Sequence, residues 1–191
     1  MRLFVALELP DAVRHSLREL IARLKPECRG AKWVRPEAMH VTLKFIGEVD
    51  AARLESICAA LAEVHSAQPL DINFRAVGFF PNERRPRVLW CGVNASANFA
   101  EVAAGVERAL VPLGIAAESR EFVPHLTLAR FRAEGNALRD LEKLVRAAGE
   151  LKSYDFGESR ETEFHLIESL LKPTGAEYKR QRTFPIAKGP A

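Results

Sequence analysis

Residues 39–47, MHVTLKFIG, and residues 124–131, PHLTLARF, pose one question twice. Each reads as an apolar strand interrupted by an imidazole and, two residues on, a hydroxyl. Side chains at i and i+2 of a strand share a face. His40 therefore sides with Thr42, and His125 with Thr127, while Val41 and Leu43, or Leu126 and Leu128, point into a core. With five His and five Thr in 191 residues, chance predicts on the order of 0.1 His-x-Thr matches. Two such strands, both continued by Leu, are a deliberate feature; the plainer alternative is a pair of core histidines bonded to threonine.

Working outward, "RLFVALEL" (2–9) alternates as a strand. Pro10 and Asp11 open a helix whose apolar face is Val13, Leu17, Leu20, Ile21 and Leu24, ending before Pro26. The first His-x-Thr strand stops at Gly47, and Asp50 caps a second helix carrying Leu54, Ile57, Cys58, Leu61 and Val64. "LDINFRAVGFF" and "RVLWCGV" are strands on either side of the loop "PNERRPR". A third helix spans about 97–112, with Val102, Val106, Leu110 and Leu113 inward, and "EFVPHLTLARF" is a strand. A fourth helix spans about 136–148. Two closing strands, "ETEFHLIESLL" and "AEYKRQRTFPI", are joined by the turn "KPTG". The order predicts an α+β fold with antiparallel-rich sheets. Each half holds a helix, a His-x-Thr-Leu strand and another helix, which suits two similar lobes facing each other across a cleft. Residues 1–191 are expected to form one bilobal domain.

Apolar residues make up 48% of the chain, enough for a core without staples. The net charge of +3 and pI near 8.9 permit an anionic ligand without demanding one. Cys28, Cys58 and Cys91 lie far apart with no CxxC spacing, which argues against a disulfide framework or a structural zinc and for free thiols in a reducing compartment. The N-terminus is too soon interrupted for a signal peptide, and no apolar run approaches membrane-spanning length. A soluble cytoplasmic protein, monomeric by default, is expected.

Two imidazoles and two hydroxyls on opposed faces fit one chemistry well. Histidines titrate near neutrality and can divide acid and base work. One deprotonates an attacking water and the other protonates a leaving oxygen. Thr42 and Thr127 can donate to non-bridging phosphate oxygens. No metal or other cofactor is required, since the carboxylates do not cluster with the histidines at ligand spacing.

These residues resemble the two-histidine (2H) phosphoesterase superfamily, and within it the bacterial and archaeal RNA 2′,3′-cyclic phosphodiesterases, also called 2′-5′ RNA ligases. "RLFVALELP", the paired motifs, "RVLW" and "LIESLLKPTGAEYKRQRTFPI" carry the resemblance nearly end to end. It implies a bilobal α+β fold with the site between the lobes, and opening of a 2′,3′-cyclic phosphate to a 2′-phosphomonoester with O3′ leaving. The reverse reaction would be a 2′-5′ ligation without ATP. By this resemblance His40 is the general acid, His125 the general base, Thr42 and Thr127 phosphate ligands, and Arg130 a further phosphate contact. Regular alternation turns Arg130 away from His125, so a bulge or the strand end must redirect it. The competing functions are a phosphodiesterase for a small nucleotide (an ADP-ribose cyclic phosphate or a 2′,5′-linked oligoadenylate) and a non-catalytic RNA-end binding module.

Other residues read more plainly. Phe45 could stack near a base, but its parity assigns it to the core with Val41 and Leu43. His15 and His65 are expected on helix surfaces, and His165 as a partly exposed strand histidine. The basic loop 82–87, next to Phe79 and Phe80, could guide an RNA strand by stacking and charge, but a solvated loop is the plainer reading; 177–182 reads as the wet face of a strand, and Trp33 as buried or at the cleft mouth.

Overall fold

The computed structural model describes residues 1–119, 122–131, 137–172 and 175–187. Among these, nine strands and four α-helices form two antiparallel sheets with helical layers. One sheet has the order β3-β1-β8-β9: Val41–Glu48, Arg2–Leu7, Glu163–Lys172 and Gly175–Pro185. The other has the order β2-β6-β5-β4-β7: Lys32–Trp33, His125–Arg130, Val88–Ala95, Leu70–Phe80 and Asp155–Glu161. Every strand pairing in both is antiparallel.

The helices are α1 (Asp11–Leu24), α2 (Leu54–Leu61), α3 (Ala97–Leu110) and α4 (Ala137–Gly149). All five apolar residues assigned to the inner face of α1 are buried. Asp50 accepts from the Ala52 amide at 2.8 Å and caps the 3₁₀ turn that leads into α2. The helices exchange between the lobes. Helix α1 follows β1 of the first sheet but packs on β7 of the second; α3 follows β5 of the second sheet but packs on β3 of the first. Helix α4 lies on β4 and against α1, and α2 lies against α3. One continuous apolar cluster consequently runs under both sheets, from Leu3, Val41 and Leu166 to Leu89, Leu126 and Phe156. The opposite, cleft faces of the two sheets carry the His-x-Thr residues, and on the first sheet a second, smaller buried cluster of Phe4, Ala6 and Ile167 lies on that face.

Strands β3 and β2 are the facing edges of the two sheets, and the chain runs directly from one to the other. Val34, just past β2, donates to the Leu128 carbonyl of β6 at 2.9 Å. A 3₁₀ turn, Pro36–Ala38, follows, and then His40 and β3. Strands β3 and β6 are in contact. The two His-x-Thr segments thus belong to different sheets yet lie at their common seam.

Several boundaries differ from the sequence reading. Strand β7 and the two-residue β2 have no counterpart in it. β3 begins after His40 and runs through Gly47, which adopts φ +86, a conformation that glycine tolerates. The "KPTG" turn falls partly on Pro173 and Thr174, and the expected second motif strand starts at Glu121; these residues, and the tail from Lys188, lie outside the described residues.

Candidate active site

Both motif strands carry a bulge at the same place. In β3, Thr42 pairs with Ala6 and Lys44 with Val5, so Leu43 is the extra residue. In β6, Thr127 pairs with Trp90 and Ala129 with Leu89, so Leu128 is the extra residue. An inserted residue shifts the alternation of the residues after it by one. The residue five past each histidine, Phe45 or Arg130, is thereby returned to the face of His and Thr. Lys44 is turned inward, where its ammonium meets Glu107 at 2.8 Å and the Ala116 carbonyl at 2.6 Å.

The bulge corrects one expectation and supplies what another needed. Phe45 is not a core residue: it is 63% exposed and pairs across the cleft-facing side with Phe4, their rings 6.1 Å apart. Arg130 is exposed and shares the face of His125 and Thr127, as a bulge in β6 requires.

The histidines are held alike. The Nδ1 of His40 lies 3.1 Å from the Ala38 carbonyl, and that of His125 lies 2.8 Å from the Val123 carbonyl, two residues back in each case. A carbonyl only accepts, so Nδ1 carries the hydrogen and Nε2 is the nitrogen left for chemistry. Both rings are half-buried, as are Thr42 and Thr127. Arg14 of α1 braces the turn before His40, donating to the carbonyls of Leu9, Pro36 and Glu37 at 3.1–3.3 Å.

The walls around the two rings differ. His40 packs on Phe4 with centroids 4.5 Å apart, and meets Tyr178 edge-on at 5.0 Å. Burial there pushes its pKa down to about 4; Arg14 adds to the effect, while the Ala38 carbonyl and Glu8 oppose it. His125 meets the edge of Phe80 at 5.0 Å, and Phe80 in turn lies 5.2 Å from Trp90. The Trp90 indole lies flat across Gly78: a Cβ there would fall 2.3 Å from the ring.

His165 is a second correction. It is only 3% exposed, with Nδ1 3.0 Å from the Thr183 hydroxyl. It lies on the same row as Thr42 and Ala6. Beside it Arg180 of β9 reaches over β8 to Glu8, with two bonds of 3.1 and 2.6 Å. Burial pushes the pKa of His165 down, and Arg180 adds to this. His65 falls beyond the end of α2 and is half-buried rather than on a helix surface. His15 is exposed and 3.4 Å from Glu19, as expected. Trp33 is half-buried, its Nε1 donating to the Cys28 carbonyl at 3.1 Å. All three cysteines are free and buried, and burial raises the Cys91 thiol to about 12. Phe4, Tyr178 and Trp90 escaped the sequence reading, whereas Phe80 figures there beside the basic loop; cross-strand neighbours are legible only once register is known. Among the described residues, no three His, Cys, Asp or Glu side chains converge to hold a metal ion. No described helix is long and apolar enough to cross a membrane.

Sequence comparison matches the family described as LigT like Phosphoesterase over residues 7–90 and again over 92–176, each stretch containing one His-x-Thr strand. The chain belongs to the LigT-like phosphoesterase family. An RNA 2′,3′-cyclic phosphodiesterase of Archaeoglobus fulgidus is 36% identical over 184 residues, covering 96% of this chain and 99% of that protein. The Methanothermobacter thermautotrophicus enzyme of the same name is 32% identical, covering 97% and 99%. A crystal structure from Thermus thermophilus superposes with a TM-score of 0.80 at 31% identity, covering 97% of this chain and 98% of that one. The E. coli LigT structure complexed with 3′-AMP has the same fold at 22% identity, with a TM-score of 0.77 over 98% of each chain.

Proposed function

We propose that this LigT-like phosphoesterase opens 2′,3′-cyclic phosphate ends of RNA to 2′-phosphomonoesters. The observation that carries the reading is the duplicated device: His, Thr and bulge in each motif strand, with each Nδ1 tied to a carbonyl and each Nε2 without a partner among the described residues. Its relatives named RNA 2′,3′-cyclic phosphodiesterase support the substrate. Residues 1–191 act as one bilobal domain, as a monomer in the cytoplasm; both motifs come from one chain, and three unpaired thiols suit a reducing compartment.

Two proton transfers complete the reaction. His125 Nε2 takes a proton from water, whose oxygen attacks phosphorus. The P–O3′ bond breaks, and O3′ takes the proton carried by His40 Nε2. Thr42, Thr127 and Arg130 donate to the non-bridging oxygens as their charge grows. His40 is neutral in the free protein at pH 7, because its pKa is about 4. It acquires its proton together with the anionic substrate, whose negative charge favours the imidazolium. Phe45 offers its exposed face to the nucleobase. Run in reverse, with the histidines exchanging roles, the same groups would join a cyclic end to a 5′-hydroxyl as a 2′-5′ linkage.

The reaction as written needs no metal. The test is a short RNA with a 2′,3′-cyclic end, incubated in EDTA, with the product ends mapped. A 2′-phosphate that forms in EDTA and is lost in both His40→Ala and His125→Ala is the expected result. Activity abolished by the chelator, or retained by either variant, defeats the mechanism.

A further inference from the structure

On the cleft face of β6, His125, Thr127 and Arg130 stand in line, the last brought there by the bulge at Leu128. The residue directly opposite Arg130 on β2 is Lys32. Opposite residues of an antiparallel pair share a face, so Lys32 also looks onto the cleft, beyond Arg130 at the sheet edge. Both side chains are exposed, and among the described residues neither has a carboxylate partner.

Like charges directly opposite each other weaken a sheet. This pair is nevertheless built in by a strand only two residues long. The second of those residues, Trp33, pairs with Ala129 and is tied to the Cys28 carbonyl at 3.1 Å. Trp33 fixes the strand and Lys32 is what the strand presents. A structure that holds two cations side by side at the end of a phosphate site is arranged for a second anion.

We propose that Lys32 forms a second phosphate subsite, which takes the phosphate on the 5′ side of the terminal nucleoside. The inference rests on the phosphodiesterase reading, with Arg130 serving the reacting phosphate. An RNA strand repeats its phosphates at each nucleotide, and phosphate contacts of this kind set register along a strand. The chain is therefore an enzyme for oligonucleotide ends rather than for mononucleosides.

The test compares kcat/KM for three probes. They are uridine 2′,3′-cyclic phosphate, the dinucleotide UpU ending in the same cyclic phosphate, and that dinucleotide with a neutral methylphosphonate as its internal linkage. The wild type is expected to prefer the phosphodiester dinucleotide. In Lys32→Ala the ratio of dinucleotide to mononucleoside kcat/KM should fall about two- to fivefold, the upper part of the range of one exposed charge contact. Lys32→Arg should restore it, and the methylphosphonate should abolish the preference. The logarithmic salt dependence for the dinucleotide should also lose about 0.7 of its slope in Lys32→Ala, as one single-strand phosphate contact requires. An unchanged ratio in Lys32→Ala, or a methylphosphonate penalty equal in wild type and variant, overturns the subsite. Failure of the wild type to cleave any probe defeats the phosphodiesterase reading instead. The subsite is then judged from dissociation constants of the two dinucleotides ending in 2′-phosphate. Tighter binding of the phosphodiester by wild type but not by Lys32→Ala upholds it, and equal binding overturns it.

Discussion

His40 offers a direct check on the electrostatics of the cleft. Its ring is wedged between Phe4 and Tyr178, with Arg14 of α1 and Glu8 as the charged groups that act on it. Burial lowers its pKa from 6.5 to about 4. Between these two values the unfolded chain binds a proton at His40 and the folded chain does not. Stability therefore rises with pH across the window and falls as pH drops from 6.5 towards 4. The gap caps the contribution at about 3.4 kcal/mol, of which about 2.5 kcal/mol is lost by pH 4.5. His165 shifts in the same direction, so wild type alone cannot isolate the effect. The comparison is urea unfolding of wild type and His40→Gln at pH 7.5, 5.5 and 4.5. Glutamine keeps a donor for the Ala38 carbonyl and cannot titrate. The difference between the two proteins should move by about 2.5 kcal/mol in favour of the variant from pH 7.5 to 4.5. Parallel pH curves would refute the argument, because they would mean that the imidazole is not desolvated.

Phe45→Ala should leave stability within about 0.5 kcal/mol, since the side chain is 63% exposed. It should raise KM for a nucleoside 2′,3′-cyclic phosphate about five- to a hundredfold, the range of one lost base stack. Hydrolysis of glycerol 1,2-cyclic phosphate, which has no base, should not change; equal losses on both substrates would exclude stacking. Gly78→Ala drives a methyl group to 2.3 Å from the Trp90 ring. Overpacking of this kind costs about 1–3 kcal/mol, or about 2–4 °C of Tm per kcal/mol in a chain of this size. An unchanged Tm and unchanged tryptophan fluorescence would show that the indole does not lie on Gly78.

The parts of the site that depend on local pattern are legible in the sequence. Alternation gives the faces of His40 with Thr42 and of His125 with Thr127, and amphipathic spacing gives all five buried residues of α1. What fails is alternation carried too far. Counting from Val41 assigns Phe45 to the core, and the count breaks at Leu43 because a bulge depends on the partner strand, β1. The same break in β6 is what brings Arg130 round. His165 reads as half-exposed because its strand alternates polar and apolar residues. It is buried because Arg180, on the next strand, reaches over it to Glu8, a contact spanning 172 positions. Strand β7, DFGESRE, is mostly polar, and only its pairing with β4 makes it a strand.

The internal duplication has a limit that bears on the direction of the proposed reaction. The two halves agree in the histidine, the threonine, the carbonyl that holds each Nδ1 and the bulge near the end of each motif. They part at the residue the bulge delivers: an exposed aromatic ring in one half, a guanidinium in the other. They also part in their walls, since His40 is enclosed by two aromatic rings and His125 meets one. A displacement at phosphorus needs an acid and a base on opposite sides, which a two-fold arrangement supplies. It also needs a nucleoside on one side and water on the other, which such an arrangement cannot specify. Phe45 and the apolar wall of Phe4 and Tyr178 suit the nucleoside, and Arg130, in the half without that wall, suits the charge of the reacting phosphate. The asymmetry is carried by the positions at which the duplicated motifs differ, so exchanging Phe45 and Arg130 is the change that should disturb orientation while leaving both histidines in place.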